Sequence, residues 1–190
     1  MGRKPLIEQR RLEICNAFFD CMIKNGSYDA TSLKDIGEAL GCSPGILLHY
    51  FKSKEEILLV TSRKVIKARN DAFISILTEK DPQEKKEKIR FLLNDKRNTI
   101  YHRVMGTANK SCPAHKQLFL ELREEYFSEL RRQLPDASDY FLNAVTFLFK
   151  SIIHHYTSFA DLYNFGDYLV EMLMREITFL SENDSIRQTV

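Results

Sequence analysis

In the first third of the chain, the apolar positions predict two short helices joined by a tight turn. Leu33, Ile36 and Leu40 fall at i, i+3 and i+7, a spacing that places them on one face of a helix. Gly41 follows them and can adopt the positive φ that commonly ends a helix. Pro44 then occupies the first position of the next helix, where its missing N–H costs nothing. Many proteins present a helix to the DNA major groove in this arrangement.

Polar residues at the ends of these segments support the same elements. Ser32 and Asp35, three residues apart, predict a capping box at the start of the first helix. Ser43 can cap the second helix, and Ser53 with Glu56 predicts another capping box that opens a third helix.

The second helix of the pair is predicted to have an inward apolar face formed by Leu47 and Phe51, with Tyr50 beside them. Gly37 lies where the two helices must approach closely, so a larger side chain there is expected to push them apart. Two helices joined by a glycine turn also occur in proteins that do not bind DNA. The whole segment 31–56, together with the helix before it, favours DNA binding.

This segment resembles the DNA-binding domain of the TetR (tetracycline-repressor) family. The resemblance includes the preceding residues Ile14, Ala17, Phe18, Phe19, Gly26 and Ala30, and in the family a helix such as 8–24 supports the other two. It covers about the first 60 residues, and the remainder is similar only in length and helical character. Leu48 stands where the family usually has a tyrosine that touches the DNA backbone, and Gly37 stands where alanine is usual.

The resemblance implies that the following residues contact DNA: Thr31, Ser32, Ser43, Pro44, Gly45, Leu48, His49, Tyr50 and Lys54. Lys54 lies in the first turn of a helix, where its charge and the free N–H groups can face a phosphate. Thr31 and Ser32 can donate their hydroxyls to the DNA backbone.

The recognition helix itself offers mixed chemistry. Gly45 permits a close approach of the backbone, and Leu48 offers only an apolar contact, such as one to a thymine methyl. His49 can reach a base or a phosphate, or can be a solvated surface residue, and Tyr50 can equally be a packing residue. Because this helix has no Arg or Asn for a bidentate base contact, shape and backbone contacts are expected to carry much of the affinity.

The rest of the chain reads as helices, without a segment of strand periodicity or an internal repeat. We predict helices at about 53–77, 83–105, 114–134, 137–160 and 165–181, with a loop or a short helical turn at 106–113. The fold class is therefore all-α. A three-helix helix-turn-helix DNA-binding domain (1–52) is expected to precede an effector-binding and dimerisation helical bundle (53–190).

Aromatic residues are concentrated in the second domain, since 71–190 hold ten of the 13 Phe and six of the eight Tyr. Each most simply fills the core, but together they can line a pocket for an apolar or aromatic ligand, as in TetR-type regulators. The predicted effector residues are Phe73, Leu93, Arg97, Tyr101, Met105, Phe119, Phe147 and Ser151. Arg97 and His102 suit an anionic ligand group or, equally, a surface salt bridge.

The predicted helix at 137–160 is apolar around much of its circumference and needs covering on more than one side. The last helix is also rich in large apolar side chains. The resemblance implies that these two helices pair with their copies across a two-fold axis to form a four-helix bundle. The predicted interface is Phe149, Ile152, Ile153, Tyr156, Leu169, Met172, Leu173 and Ile177. The alternative is a monomer that buries both helices in its own core.

Net charge is only +2, but its distribution favours the same assignment, since residues 1–70 hold 12 Lys and Arg against 8 Asp and Glu. Arg3, Lys4, Arg10 and Arg11 contribute to this excess and can touch DNA or form a solvated tail. The four cysteines show no paired spacing, and the N-terminus has no signal-peptide core. No apolar run is long enough to span a bilayer, so we expect a reduced, cytoplasmic protein.

No residue pattern predicts catalysis, a metal or a cofactor. Cys112 and His115, with His102 nearby, supply at most three metal ligands from one loop. The chain has no Gly-rich phosphate loop and no nucleophile elbow. We therefore expect neither an enzyme nor a metalloprotein.

These patterns and the resemblance predict a ligand-responsive transcriptional repressor that binds a palindromic DNA operator as a homodimer. A small apolar or amphipathic effector would release it from the operator by tilting the helix that begins near Ser53. The alternatives are an effector-independent DNA-binding dimer and a small helical enzyme.

Overall fold

In the computed structural model, the backbone is described for residues 3–94, 96–159 and 166–187, and the side chains for 6–94, 104–152 and 167–184. Every element within these ranges is a helix, which confirms the all-α fold class. The helices are α1 (Arg3–Asn25), α2 (Leu33–Leu40), α3 (Pro44–Tyr50), α4 (Lys54–Thr78), α5 (Pro82–Asn94), α6 (Lys96–Ser111), α7 (Pro113–Gln133), α8 (Asp139–Phe159) and α9 (Gly166–Arg187). None of the described helices is long and apolar enough to cross a membrane.

The prediction of one helix at 83–105, ending before a loop or short helical turn at 106–113, was wrong. Two helices occupy this region, α5 and α6, and α6 continues to Ser111. Gly106 lies inside α6 and does not end it. The break comes instead at Cys112, because Pro113 takes the first position of α7, where a proline is tolerated without an N–H donor.

The chain divides into two compact units, one of residues 1–68 and 101–122 and the other of residues 69–100 and 123–190. Helices α4, α6 and α7 each contribute residues to both units. This division differs from the predicted boundary after residue 52, since the first unit includes more than the helix-turn-helix. The assignment of DNA binding and effector binding to separate domains stays a prediction.

The first unit has a core between α1, α2 and α3, with α1 packed against both of the others. Its largest fully buried side chains are Ile14, Phe18, Met22, Ile36, Leu47, Phe51, Ile57 and Leu58. The apolar face of α1 thus covers the inward faces of the two short helices. The predicted inward orientation of Leu47 and Phe51 is confirmed.

The second unit has a separate core in which α5 and α8 pack against α9. Its centre includes Phe73 and Phe149, whose ring centroids lie 5.2 Å apart. The other buried residues of this core include Ile89, Leu92, Leu93, Tyr126, Phe127, Leu130, Leu142, Val145, Val170, Leu173 and Ile177. Five of the aromatic residues that the sequence concentrates here are buried in this core, namely Phe73, Tyr126, Phe127, Phe141 and Phe149, whereas Phe91, Tyr140, Phe147, Tyr168 and Phe179 are exposed.

Candidate nucleic-acid interface

Helix α2 begins and ends as its sequence predicts. Ser32 Oγ accepts a hydrogen bond from the Asp35 N–H at 3.2 Å, and the Asp35 carboxylate accepts one from the Ser32 N–H at 2.7 Å. These bonds hold the pKa of Asp35 below its ordinary value. Gly41 ends the helix at a φ of 64°, and its N–H points to the carbonyls of Glu38 and Gly37. The predicted capping box and glycine stop are confirmed.

Gly37 marks the closest approach between α2 and the turn. A Cβ at this position would lie 2.5 Å from the carbonyl oxygen of Cys42 and 3.6 Å from the backbone nitrogen of Pro44. The Cys42 N–H also donates to the Gly37 carbonyl at 2.8 Å. The predicted close approach is therefore confirmed, and the element that crowds Gly37 is the backbone of the turn.

The leading end and outer face of α3 are open to solvent. Ser43, Pro44, Gly45, Leu48 and His49 are all exposed. Ser43 is the N-cap residue, but its hydroxyl makes no capping hydrogen bond, so the prediction that its side chain caps α3 was wrong. With Pro44 at the first helical position, the helix starts without that bond, and the hydroxyl stays available to a partner.

Two further residues complete the surface of α3. Ile46 is 44% exposed beside the predicted contacts and is not one of them. Its signal was an apolar side chain in the first turn, pointing away from the inward Leu47. Tyr50 is half-buried, with its ring 5.2 Å from that of His49 in an edge-to-face contact. Tyr50 therefore contributes to packing within the domain.

Arg11 of α1 fixes the other end of α3. Its guanidinium donates a hydrogen bond to the Tyr50 carbonyl, pairs with the Glu56 carboxylate at 3.1 Å and lies 4.0 Å from the centre of the Phe51 ring. The Lys52 N–H and Arg11 together hold the pKa of Glu56 below its ordinary value. Arg11 therefore acts as a positioning residue inside the domain.

The second predicted capping box is present only in part. Ser53 Oγ accepts from the Glu56 N–H at 3.1 Å, as expected. The Glu56 carboxylate, however, accepts from the Lys52 N–H at 2.6 Å, one residue earlier than a capping box requires. The shift leaves the same carboxylate in reach of Arg11.

Lys54 and Thr31 are engaged within the domain. The Lys54 ammonium donates to the carbonyls of Tyr28 at 3.2 Å and Thr31 at 2.9 Å, and lies 4.0 Å from the centre of the Tyr28 ring. The Thr31 hydroxyl is buried and donates to the Ser27 carbonyl at 2.9 Å. The prediction that this hydroxyl reaches DNA is therefore wrong for Thr31. The Lys54 ammonium has three N–H donors, and these two carbonyls accept from two of them.

The helix-turn-helix residues match a known family. Residues 22–61 match the model for bacterial regulatory proteins of the tetR family. The segment is a helix-turn-helix of the tetR type. This TetR-family domain is also 34% identical over 77 residues to the HTH-type transcriptional regulator BetI of Klebsiella pneumoniae (strain 342). That match spans 40% of this chain and only 37% of the BetI protein.

Solved structures share the fold over most of the chain. The fatty acid degradation regulator FadR from Bacillus halodurans has a TM-score of 0.69 and 16% identity, over 93% of this chain and 96% of that one. FadR from Bacillus subtilis in complex with stearoyl-CoA has a TM-score of 0.54 and 14% identity, over 86% and 97%. Identities this low show a common all-helical fold.

The predicted effector residues do not form one described site. Phe73 and Leu93 are buried in the core of the second unit, where Ser151 is half-buried. Met105 is buried and Phe119 half-buried in the first unit. Arg97 and Tyr101 lie outside the described side chains. Phe147 is 73% exposed on α8, so its assignment to an interior pocket was wrong.

A surface cleft of about 390 Å³ lies within the first unit, between α4 and α7. Its walls are Leu59, Val60, Arg63, Ala114, Gln117, Leu118 and Glu121. The Arg63 guanidinium and the Glu121 carboxylate are 3.7 Å apart. The predicted effector residues are not among those that line this cleft.

The predicted dimer residues divide between core and surface. Phe149, Leu173 and Ile177 are buried in the core of their own protomer, so their assignment to a dimer interface was wrong. Ile152, Leu169 and Met172 are half-buried, and Ile153 and Tyr156 lie outside the described side chains. Among the side chains of α8 and α9 that the structure describes, the large apolar ones at the surface are Tyr140, Phe147, Tyr168 and Phe179.

His115 forms a buried polar network with α4 and α6. One ring nitrogen lies 2.8 Å from Ser62 Oγ and the other 2.7 Å from Asn109 Oδ1. Burial lowers the pKa of His115. Among the described residues, no cluster of three or more His, Cys, Asp or Glu side chains is arranged to hold a metal ion.

Proposed function

We propose that this TetR-family protein is a ligand-responsive transcriptional repressor that binds a palindromic DNA operator as a homodimer. The observation that supports the proposal most is the way in which the domain holds and exposes α3. Its leading end and outer face are exposed, while Arg11 holds its last carbonyl and Leu47 anchors it in the core. A rigidly held helix with a solvated outer face suits insertion into a major groove.

The chemistry of this face indicates how the operator is read. Leu48 and Ile46 can contact thymine methyl groups, and His49 can reach a base edge or a phosphate. Ser43 has an uncommitted hydroxyl at the end that would meet the DNA backbone, and Gly45 lets that backbone approach. Shape and phosphate contacts then carry most of the affinity.

Dimerisation through α8 and α9 is supported by their exposed aromatic residues. Tyr140 and Phe147 are seven residues apart, which places them two turns apart on one face of α8. Tyr168 and Phe179 are eleven residues apart, which places them three turns apart on one face of α9. The two helices pack against each other, so both faces can meet a second copy. Large exposed apolar side chains of this kind mark interaction surfaces.

The effector is proposed to be a small apolar or amphipathic molecule that binds the second unit. The B. subtilis FadR structure, which shares the fold, contains stearoyl-CoA, an amphipathic ligand. Because α4 contributes residues to both units, a ligand-dependent shift of α4 would change the spacing of the two recognition helices in a dimer. A coupling free energy of about 1–3 kcal/mol would weaken operator binding roughly 5- to 150-fold.

Two serine variants test DNA binding separately from folding. The full chain is used to select its preferred duplex from random sequences at about 0.15 M salt. Ser43→Ala should lower affinity for that duplex about fivefold without a change in stability, since the hydroxyl makes no cap. Ser32→Ala should instead lower stability by about 1 kcal/mol, because it breaks a capping box. A wild-type chain that prefers no duplex over random oligomers contradicts the proposal.

A further inference from the structure

Two exposed aliphatic side chains of α3 lie on either side of its buried residue. Leu47 is fully buried in the core of the domain, whereas Ile46 and Leu48 are 44% and 45% exposed. Successive residues of an α-helix are turned by about 100°, so Ile46 and Leu48 lie about 200° apart. Their nearly equal exposure agrees with this geometry. Each of the two flanks of α3 therefore carries one aliphatic side chain into solvent.

The outermost positions of α3, between these flanks, are Gly45 and His49, and both are exposed. Among the described residues, the glycines with positive φ are Gly26 and Gly41, so Gly45 has an ordinary helical backbone. A Cβ at Gly45 would meet only the Ser43 hydroxyl, at 3.8 Å. No contact within the chain requires a glycine here, although glycine is a poorer helix former than alanine. A missing side chain at this position instead lets a binding partner approach the helix closely.

The chemistry of α3 and of its surroundings limits what this partner is. Helix α3 has no Lys, Arg, Asp or Glu, and its two flanks end in hydrocarbon. The residues around it are basic, with 12 Lys and Arg against 8 Asp and Glu in 1–70. The partner is therefore an anion overall that presents apolar groups to α3. A DNA duplex meets both conditions, because thymine methyl groups line a major groove that phosphates border.

The dimensions of the groove assign the two flanks to different strands. An α-helix with its side chains is about 10–12 Å across, and the major groove is about 12 Å wide. A helix that fills the groove turns its opposite flanks towards opposite strands. Ile46 and Leu48 are also separated by about 3 Å along the helix axis, close to the spacing of about 3.4 Å between base pairs. Their contacts therefore fall on neighbouring base pairs.

We propose that Ile46 and Leu48 determine operator specificity by packing against the methyl groups of thymines on opposite strands of the duplex. This inference rests on the proposed function, because it names what α3 recognises in the operator. Each half-site should contain one such thymine on each strand, within about two base pairs of each other. Gly45, between the two flanks, lets α3 lie deep enough in the groove for both contacts to form.

Substitution of single thymines by deoxyuridine tests the methyl contacts, because it removes one methyl group and keeps the hydrogen-bonding edge of the base. The full chain first selects its preferred duplex, and each thymine of that duplex is then replaced in turn. Affinity should fall about three- to fivefold at one or more positions on each strand of a half-site, as expected for one buried methyl group. If no replacement lowers affinity, or if all sensitive thymines of a half-site lie on one strand, the proposal is overturned.

Ile46→Ala and Leu48→Ala assign each methyl group to a side chain. Each variant should lose the effect of deoxyuridine on one strand and keep it on the other, and the two variants should lose it on different strands. The ratio of affinities for thymine and deoxyuridine duplexes within one variant does not depend on the fraction of folded protein. Val60→Ala, at an apolar residue of α4 that is 37% exposed, is the matched control and should keep both effects.

Three further outcomes are decisive. If both α3 variants lose the deoxyuridine effect on the same strand, or if both keep the wild-type pattern, Ile46 and Leu48 do not contact opposite strands and the proposal is overturned. A wild-type chain that selects an operator but is insensitive to every deoxyuridine refutes the methyl contacts alone, and DNA shape and phosphate contacts then carry specificity. A wild-type chain that selects no duplex contradicts the proposed function itself.

Discussion

Arg11 of α1 donates a hydrogen bond to the backbone carbonyl of Tyr50, the last residue of α3. The same guanidinium pairs with Glu56 in α4 and lies over the ring of Phe51. One side chain thus joins three helices at the end of α3 away from the proposed DNA contacts. The orientation of α3 depends on this residue as much as on the apolar core.

Arg11→Gln should lower the free energy of unfolding by about 1–3 kcal/mol, because a carbonyl and a carboxylate lose a charged partner. Affinity for the selected duplex should fall with it, since α3 is less firmly held. Urea unfolding followed by circular dichroism measures the first effect. Arg10→Gln is the matched control: Arg10 pairs with Glu13 inside α1, so its loss should change stability by less than about 0.5 kcal/mol. Equal effects of the two variants contradict the role assigned to Arg11.

Gly37→Leu should disrupt the helix-turn-helix, because even a Cβ at this position meets the Cys42 carbonyl oxygen at 2.5 Å. Gly37→Ala should also destabilise the domain, although less than Gly37→Leu, because its Cβ alone forces the backbone of the turn to move. Gly45→Ala should not destabilise the chain, because its Cβ would meet only the Ser43 hydroxyl, at 3.8 Å. The unfolding temperatures of the three variants measure their order of stability. Wild-type stability of Gly37→Leu would show that the turn is not tightly packed.

Local features of the helix-turn-helix could be predicted from the sequence. The Ser32 capping box, the Gly41 stop and the inward Leu47 depend on residues within a few positions of one another. The partners of Arg11 could not be predicted in this way. Its carbonyl acceptor lies 39 residues further along the chain and has no side-chain signature.

Prediction from the sequence was limited in a different way in the second unit. Helix α8 is apolar around much of its circumference, so periodicity could not tell which side faces its own core. Phe147 and Phe149 are two residues apart, about 200° around the helix. One is 73% exposed and the other 1%, the reverse of their predicted roles.

Lys54→Met should destabilise the first unit by about 1–2 kcal/mol, because the carbonyls of Tyr28 and Thr31 each lose a charged donor. The loss should appear in chemical unfolding without DNA. Lys52→Met is the control, since Lys52 is an exposed neighbour whose backbone N–H, and not its ammonium, bonds to Glu56. If the two variants unfold at the same denaturant concentration, the ammonium of Lys54 contributes nothing to the fold.

His115 should make stability fall with acidification. Burial lowers its pKa from the ordinary value of 6.5, so below that value the unfolded chain binds a proton that the folded chain does not. The stabilisation is therefore complete above pH 6.5 and is lost as pH falls towards the lower pKa of the folded state. Unfolding temperatures between about pH 7.5 and 5.5 should drop more for the wild type than for His115→Gln. His49→Gln, at an exposed histidine, is the control, and its unfolding temperature should drop as much as that of the wild type. If the unfolding temperature of His115→Gln also drops as much as that of the wild type, His115 is not the source of the pH dependence.

Phe147→Glu should convert a dimer into a monomer, because a carboxylate in the centre of an apolar interface is buried without a partner. Phe147 and Phe179 are 73% and 58% exposed, so neither substitution should disturb the core of its own protomer. Light scattering should give twice the chain mass of 22.2 kDa for the wild type and close to that mass itself for Phe147→Glu and Phe179→Glu. Phe91→Glu is the matched control, since Phe91 is equally exposed but lies on α5, and it should remain dimeric. A monomeric wild type at micromolar concentration, or dimers in all three variants, excludes the α8 and α9 surface as the interface.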